Sequence, residues 1–206
     1  FNEVFLDGAR VPDACRVGEV GAGWKVAGAT LSGERQMVAG SGSGGVDRIG
    51  GSGAESLVRL AKSLSARGHP GGWDNPVRRN EIARLWCEER VREWTNLRVR
   101  AQLRAGRSPG PESSIGKIHQ GELNQRIQAM AVDMLGAAAT GWVSTAATWA
   151  ESLPYEVRGM LRSRANTIEG GTTEVNRNIV GERVLGLPRE PDPWQGRPWS
   201  EVPHSE

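Results

Sequence analysis

Two glutamates stand where a carboxylate could act as a base. Glu34 follows a glycine and precedes Arg35 in a segment with helical spacing. Glu169 precedes the pair Gly170 and Gly171, where a helical pattern breaks. A glutamate can remove a proton from a substrate when burial raises its pKa. Without further information, a solvated surface carboxylate is the more common role, so the residues alone leave both as candidates.

Three other kinds of chemistry find little support. The stretch Gly40–Gly45 has the spacing GxGxxG, but it follows a helical segment, whereas a dinucleotide fingerprint follows a strand. The histidines His69, His119 and His204 are far apart and near no cysteine pair, so we expect no metal site. A GxSxG match occurs at Gly106–Gly110, but it follows a helical segment and contains a proline, whereas the nucleophile elbow of a hydrolase follows a strand.

The composition of the chain indicates which classes of partner and which cellular compartment to expect. The 206 residues carry a net charge of +2, with 26 basic and 24 acidic side chains spread along the chain, so we expect no nucleic-acid partner. Cys15 and Cys87 give no disulfide framework, and the cytoplasm is the expected compartment. No run of 18 apolar residues occurs, so we expect no membrane span.

The elements that would position these residues are almost all helical. Alternation over Phe1–Leu6 predicts one strand, and the start without a methionine or basic segment suggests that the chain begins inside a larger protein. Helical spacing follows, interrupted by glycine and proline. The predicted helices cover residues 24–38, 54–66, 76–106, 113–136, 142–153, 154–167 and 172–187.

Apolar stripes on the two longest helices predict how the helices pack. We interpret the tryptophan and methionine stripes as core rather than as the lining of a cofactor site. The stripes are Ile82, Trp86, Trp94, Leu97 and Ala101 on one helix, and Ile115, Ile118, Leu123, Ile127, Met130 and Met134 on the next. Long amphipathic helices joined by short breaks predict an antiparallel helical bundle.

Three segments resemble one known family. Arg164–Pro188, which contains Asn-Thr-Ile-Glu-Gly-Gly-Thr-Thr-Glu, resembles the last helix of the acyl-CoA dehydrogenase family. The opening, with Phe1–Val11, Gly21–Lys25 and Gly33-Glu34-Arg35, resembles the passage from that family's middle β-domain into its C-terminal helical domain. Ser113–Lys117 continuing to Met134–Gly136 resembles a third segment.

The resemblance implies a fold class and a division of the chain. The fold is expected to be all-α, an antiparallel bundle of the four-helix type, preceded by a short β-strand from a truncated β-domain. Residues 1–22 would end the β-domain and form the linker, residues 23–187 the C-terminal bundle, and residues 188–206 a tail rich in proline and tryptophan.

The resemblance also implies a reaction. The family removes hydrogen across the α,β-carbons of an acyl-CoA thioester with FAD, and an electron-transfer flavoprotein is the expected acceptor. Its members place the base at one of two positions, which here are Gly170 and Glu34; Glu169 lies one residue early. We therefore favour Glu34 over the alternative Glu169, with Arg35 and Gly170 contacting substrate. Gly28, Gly33, Gly40 and Gly42 suggest room for a branched or ring-bearing acyl group.

The flavin-binding motifs match the family only in part. Thr172 and Glu174 stand at flavin-contacting positions, and Asp133 with Gly136 stands where the family has Gln-x-x-Gly-Gly. No Arg-x-x-Phe-Gly sequence occurs; the corresponding region is residues 67–73. The resemblance thus implies a homo- or hetero-tetramer, in which a partner subunit supplies part of the flavin site. Two alternatives remain: a non-catalytic partner subunit of such a complex, and a helical interaction module unrelated to flavin.

Overall fold

The computed structural model describes residues 3–38, 53–107, 113–141 and 152–203, and within these not the side chains of residues 32–38, 113 and 199. The described residues form six α-helices: α1 (Gly23–Val38), α2 (Ala54–Ser65), α3 (Pro76–Arg104), α4 (Ser113–Leu135), α5 (Tyr155–Ser163) and α6 (Thr173–Arg183). Short 3₁₀-helices lie at Asp13–Cys15, Gly136–Ala139, Arg164–Thr167 and Trp199–Glu201. The predicted all-α class is confirmed.

Helix α4 lies at the centre and contacts each of the other five described α-helices. Helix α3 runs antiparallel to it, since Arg78 near the start of α3 pairs with Asp133 near the end of α4. Ten residues further along α3, Glu88 pairs with Arg126 at 2.9 Å. The two long helices therefore form the antiparallel pair on which the remaining helices pack.

The main core lies between α2, α3 and α4. Helix α2 buries Leu57, Ala61 and Leu64, whose spacing of four and three places them on one helical face. That face meets apolar residues of α3 and α4. The buried residues of this core are Ala54, Leu57, Ala61, Leu64, Ile82, Leu85, Leu123, Ile127, Met130, Ala131 and Met134. The interpretation of the methionine stripe as core is confirmed for both of its methionines, but it is wrong for Ile115, which is 38% exposed.

The interpretation of the tryptophan stripe on α3 is wrong. Trp86 and Trp94 are 45% and 64% exposed, and Leu97 is 57% exposed. The buried face of α3 instead carries Ile82, Leu85, Glu89 and Asn96. Two of these four are polar, so an apolar stripe could not reveal which side of α3 faces the bundle.

The predicted strand is not confirmed. Residues 3–12 are exposed and form no strand in the described part of the chain. A strand needs a neighbour to pair its backbone N–H and C=O groups, and no second strand occurs among the described residues. The glycine-rich stretch 40–52 and most of the predicted helix 142–153 lie outside those residues. No described helix is long and apolar enough to cross a membrane.

A buried carboxylate holds the start of α2. Glu89 of α3 is 6% exposed, and its Oε2 accepts a hydrogen bond from the backbone N–H of Ala54 at 3.1 Å. A Cβ atom on Gly53 would lie 2.2 Å from Oε1 of the same carboxylate. Gly53 therefore allows the carboxylate to approach the helix start, where a negative charge is favourable.

We expect Glu89→Ala to lower the free energy of unfolding by about 1–3 kcal/mol, because it leaves a buried N–H without its acceptor. The measurement is chemical denaturation. Glu93→Ala on the same helix is the matched control: Glu93 pairs with Arg90 at a half-exposed site, where an ion pair contributes about 0–1 kcal/mol. Equal losses in the two variants would contradict a special role for Glu89.

Candidate functional site

The two candidate bases lie on different elements. Glu34 and Arg35 are in the second half of α1, and their side chains are outside the described residues. Glu169 follows the 3₁₀-helix Arg164–Thr167, and its carboxylate is described in full. The structure therefore tests the surroundings of Glu169 and leaves the role of Glu34 a prediction.

Both oxygens of Glu169 are occupied by donors. Oε2 pairs with Nη2 of Arg162 at 2.8 Å, and Oε1 accepts from Nη1 of the same guanidinium at 3.3 Å. Oε1 also accepts from Nδ2 of Asn166 at 2.8 Å. A base must offer a lone pair to the proton that it removes. Three of the roughly four acceptor positions of this carboxylate are taken, and these bonds anchor the segment that precedes Gly170.

The turn after Glu169 depends on two glycines. Gly170 and Gly171 have φ of +67° and +88°, a region that residues with a Cβ avoid. Thr172 then caps α6, its Oγ1 accepting the N–H of Val175 at 3.2 Å. Asn176, which is fully buried, donates from Nδ2 to the carbonyls of Gly171 and Thr172, both at 2.9 Å. Hydrogen bonds from Asn176 of α6 thus fix the turn that precedes this helix.

Asn166 connects this turn to α4. Its carbonyl accepts from Nζ of Lys117 at 2.6 Å, and its Oδ1 accepts from Nδ2 of Asn124 at 2.7 Å. Its Nδ2 donates to Glu169. Asn166 is 6% exposed and Lys117 only 1%. A buried polar network thus runs from the middle of the bundle to the residue before Gly170.

Gly121 lets the 3₁₀-helix approach α4 this closely. A Cβ atom at position 121 would lie 2.7 Å from the carbonyl oxygen of Asn166. That is the oxygen to which Lys117, one helical turn earlier, donates. One turn later Gln125 bonds the carbonyl of Ser163 at 3.3 Å and Oγ1 of Thr167 at 3.0 Å. One face of α4 therefore provides both the space that the 3₁₀-helix needs and the donors that bind its carbonyl groups.

The remaining predicted cofactor residues lie on other parts of the bundle. Glu174 is exposed in the first turn of α6. Asp133 pairs with Arg78 and lines an open groove of about 460 Å³ between α3 and α4. Gly136, with φ of +56°, begins the 3₁₀-helix after α4. The described lining of the groove comes entirely from α3 and α4, so it does not include the turn at Gly170.

Charged pairs cross the groove. A hydrogen bond from Arg126 lowers the pKa of Glu88, so that carboxylate is ionised at neutral pH. Burial lowers the pKa of the neighbouring His119, and Glu88 opposes that effect. These pairings join α3 to α4 and have a structural role. No group of three or more potential metal ligands occurs in the described residues.

Sequence comparison shows the family. The profile of the family described as "Acyl-CoA dehydrogenase, C-terminal domain" matches residues 21–185. The chain belongs to the acyl-CoA dehydrogenase family. The acyl-CoA dehydrogenase IpdE1 of Mycobacterium tuberculosis is 33% identical over 201 residues, covering 92% of this chain and 45% of that protein. IpdE1 of Mycolicibacterium smegmatis is also 33% identical, with 92% and 43% covered.

Solved structures agree in fold. The ChsE4-ChsE5 complex from Mycobacterium tuberculosis has a TM-score of 0.65 at 27% identity, covering 87% of this chain and 45% of that one. A structure titled "Tcur3481-Tcur3483 steroid ACAD" has a TM-score of 0.70 at 23% identity, covering 90% and 45%. The chain spans less than half the length of these acyl-CoA dehydrogenase relatives.

Sequence reasoning missed the residues that surround the acyl-CoA dehydrogenase terminal motif. Lys117 lies in a segment that carries the family resemblance, and Asn166 lies three residues before Glu169, but neither was predicted to have a role. Arg162 was also missed. The available indication was composition: Lys117 is one of only three lysines in the chain, and it falls on a helix with an apolar stripe.

Substitution of Gly121 tests the close approach. Alanine within a helix is favoured over glycine by about 1 kcal/mol, but at position 121 its Cβ must displace a backbone carbonyl. We expect Gly121→Ala to destabilise the protein by about 1–3 kcal/mol, as overpacking does, measured as the free energy of unfolding.

Gly116→Ala is the matched control on the same helix. Its Cβ would meet only a side-chain oxygen, Oδ1 of Asn96, at 3.3 Å. It should be neutral or mildly stabilising, because the helix preference of alanine then dominates. If both variants are equally stable, Asn166 does not need the space at position 121.

Proposed function

We propose that this chain is the C-terminal helical part of an FAD-dependent acyl-CoA dehydrogenase whose α-proton base is Glu34. The observation that carries this choice is at the other glutamate. Donors occupy both oxygens of Glu169, and Gly170 at the family's second base position has no side chain. These features make Glu169 the weaker candidate and support Glu34 as the base.

In this mechanism Glu34 faces the acyl chain and removes the proton next to the thioester carbonyl. Bound acyl chain excludes water and raises the pKa of the carboxyl group, which makes it a stronger base. Arg35 and the small residue Gly170 contact the substrate, and Gly170 leaves space beside the reacting carbons. Hydrogen bonds to the thioester carbonyl stabilise the negative charge that develops there. FAD supplies the hydride acceptor for the β-hydrogen.

The terminal turn fits one edge of such a cofactor. Gly170 and Gly171 present backbone without side chains, and the N-terminal end of α6 favours a negatively charged group. Thr173 has a buried Oγ1 with no hydrogen-bond partner among the described residues. Thr172 would hold the flavin beside this turn, while Glu174, Asp133 and Gly136 would lie at its periphery.

A partner subunit would supply the rest of the flavin site. Asp133 offers an anion, already paired with Arg78, where the family has an amide. Helix α3 exposes Trp86, Trp94 and Leu97 on its outer side, and large exposed apolar patches are typical of subunit interfaces. One structural relative at 27% identity is a complex of two named subunits. These features support a hetero-tetramer over a homo-tetramer.

An enzyme of this kind would pass its electrons to an electron-transfer flavoprotein. Its place would be the cytoplasm, where reducing conditions keep exposed thiols such as Cys15 and Cys87 free. The division into residues 1–22, a bundle over 23–187 and a tail over 188–206 accompanies this proposal. The glycines Gly28 and Gly33 on α1 suggest a branched or ring-bearing acyl group. A panel of straight, branched and steroid-like acyl-CoA esters would test that preference.

The decisive experiment is Glu34→Gln in the full-length protein with its partner subunit. We expect flavin to stay bound and acyl-CoA turnover to fall by at least about a thousandfold, because the amide cannot accept the proton. Glu169→Gln should lower turnover without abolishing it, since it weakens only an anchor. Glu55→Gln, at an exposed residue of α2, is the matched control. Abolished turnover in Glu169→Gln with full activity in Glu34→Gln would reverse the assignment.

The second candidate function is a non-catalytic subunit of the same fold. The departures from the flavin motifs at Asp133 and Glu174 favour it, whereas Glu34 beside Arg35 favours catalysis. The two differ in what acyl-CoA does to the purified complex. A catalytic site bleaches the yellow flavin on addition of substrate, and Glu34→Gln prevents bleaching. A non-catalytic subunit leaves bleaching intact in Glu34→Gln.

Native mass measurement tests the assembly. We expect the full-length protein to form a tetramer containing a second, different acyl-CoA dehydrogenase subunit when the two are co-expressed. Replacing Trp94 by Glu on the exposed face of α3 should weaken assembly by at least about tenfold, since burying an unpaired charge costs several kcal/mol. Trp194→Glu in the tail is the control. A flavin-loaded tetramer of this chain alone would contradict the proposal.

A further inference from the structure

We propose that Lys117 is a positioning residue that sets the turn at Gly170–Thr172 through Asn166 and Glu169. The inference rests on the proposed function for its consequence in catalysis, although the hydrogen bonds that carry it do not. Lys117 lies on α4, 49 residues before the carbonyl to which it donates.

The first argument is the burial of a charge. Lys117 is 1% exposed, and its Nζ donates to the carbonyl of Asn166 at 2.6 Å. Removing an ammonium group from water is costly, and an apolar side chain of similar size would usually stabilise a core at least as well. A charge-assisted hydrogen bond is, however, short and strongly directional. We therefore infer that Lys117 fixes the position of the Asn166 carbonyl and contributes little to the free energy of unfolding.

The second argument is that α4 meets this carbonyl in two ways. Gly121 lies one helical turn after Lys117 on the same face, and any larger residue there would collide with the same oxygen. Lys117 attracts the carbonyl, and the bare backbone at Gly121 limits how near it comes. Asn124 adds a bond to the side chain of Asn166 at 2.7 Å. The position of Asn166 is thus determined from three directions.

The third argument is the route from Asn166 to the turn. Its Nδ2 donates to Glu169 at 2.8 Å, and Glu169 directly precedes Gly170. Gly170 and Gly171, at φ of +67° and +88°, restrict the backbone less than other residues would. The direction of the turn is therefore set by its anchors, which are Glu169 before it and Asn176 after it.

A shift of this turn would change the rate more than the affinity. The mechanism above places Gly170 beside the reacting carbons and Thr172 beside the flavin. An error of about 1 Å in such a site can cost about a hundredfold in rate. Most of the affinity for an acyl-CoA comes from parts of the substrate remote from the reacting carbons. Lys117 should therefore affect kcat and leave KM nearly unchanged.

The test is Lys117→Met in the full-length protein with its partner subunit. We expect the backbone amides of residues 170–176 to exchange with solvent at least about tenfold faster, with little change in α2 and α3. We expect kcat to fall about ten- to a hundredfold, KM to change less than about threefold, and the visible flavin spectrum to shift. Lys62→Met, at an exposed lysine of α2, is the matched control and should change none of these.

A double variant separates positioning from general stability. Glu169→Ala disconnects the turn from Asn166 without touching Lys117. If Lys117 acts through Glu169, the double variant loses no more kcat than the worse single variant. Losses that multiply would overturn the proposal, and so would a lower melting temperature in Lys117→Met with unchanged kcat, flavin spectrum and local exchange.

Two further outcomes are distinguishable. If Lys117→Met does not fold, Gly121→Ala displaces the same carbonyl and must give the same local exchange and the same kcat loss; normal values would overturn the proposal. If the wild-type complex neither binds flavin nor turns over acyl-CoA, the proposed function fails. Amide exchange then still decides whether Lys117 positions the turn.

Discussion

The structure depends on a close contact between a helix and a short backbone segment that turns beside it. The carbonyl of Asn166 is buried, and a buried backbone acceptor needs a donor. The ammonium group of Lys117 supplies that donor. That arrangement requires α4 to carry no side chain at position 121. Asn166 also bonds the carboxylate of Glu169, so this contact bears on the residue that directly precedes the turn at Gly170.

Helix α4 serves two purposes because two of its buried faces differ in polarity. One face carries Leu123, Ile127, Met130 and Met134 toward the main core. Another carries Lys117, Asn124 and Gln128, all buried, with Lys117 and Asn124 bonded to Asn166. A helix that is buried on several sides cannot rotate to adjust one face without disturbing the other. The apolar core therefore fixes the donors that face the terminal turn.

The sequence was sufficient where spacing alone decides the outcome. Helical spacing over residues 54–66 predicted α2, and the break at Gly170 and Gly171 predicted the turn before α6. It was insufficient for α3, whose inner face includes Glu89 and Asn96 while Trp86 and Trp94 lie outside. A buried carboxylate depends on a donor 35 residues away in sequence, at Ala54. Such pairings follow from the tertiary fold and produce no periodic pattern in the sequence.

The same limit applies to the choice between the two glutamates. The residues alone leave Glu169, a carboxylate beside a glycine turn, as a candidate base, and the family resemblance is what favours Glu34 over it. Its character is decided by Arg162 on the preceding helix and by Asn166, whose own position depends on Lys117 and Asn124 of α4. A carboxylate that already accepts three hydrogen bonds stabilises a turn and is a weaker base toward a carbon acid. The segment from Arg162 to Glu169, which is hydrogen-bonded to α4, thus gives Glu169 its structural role. This role supports the assignment of proton transfer to Glu34 on α1.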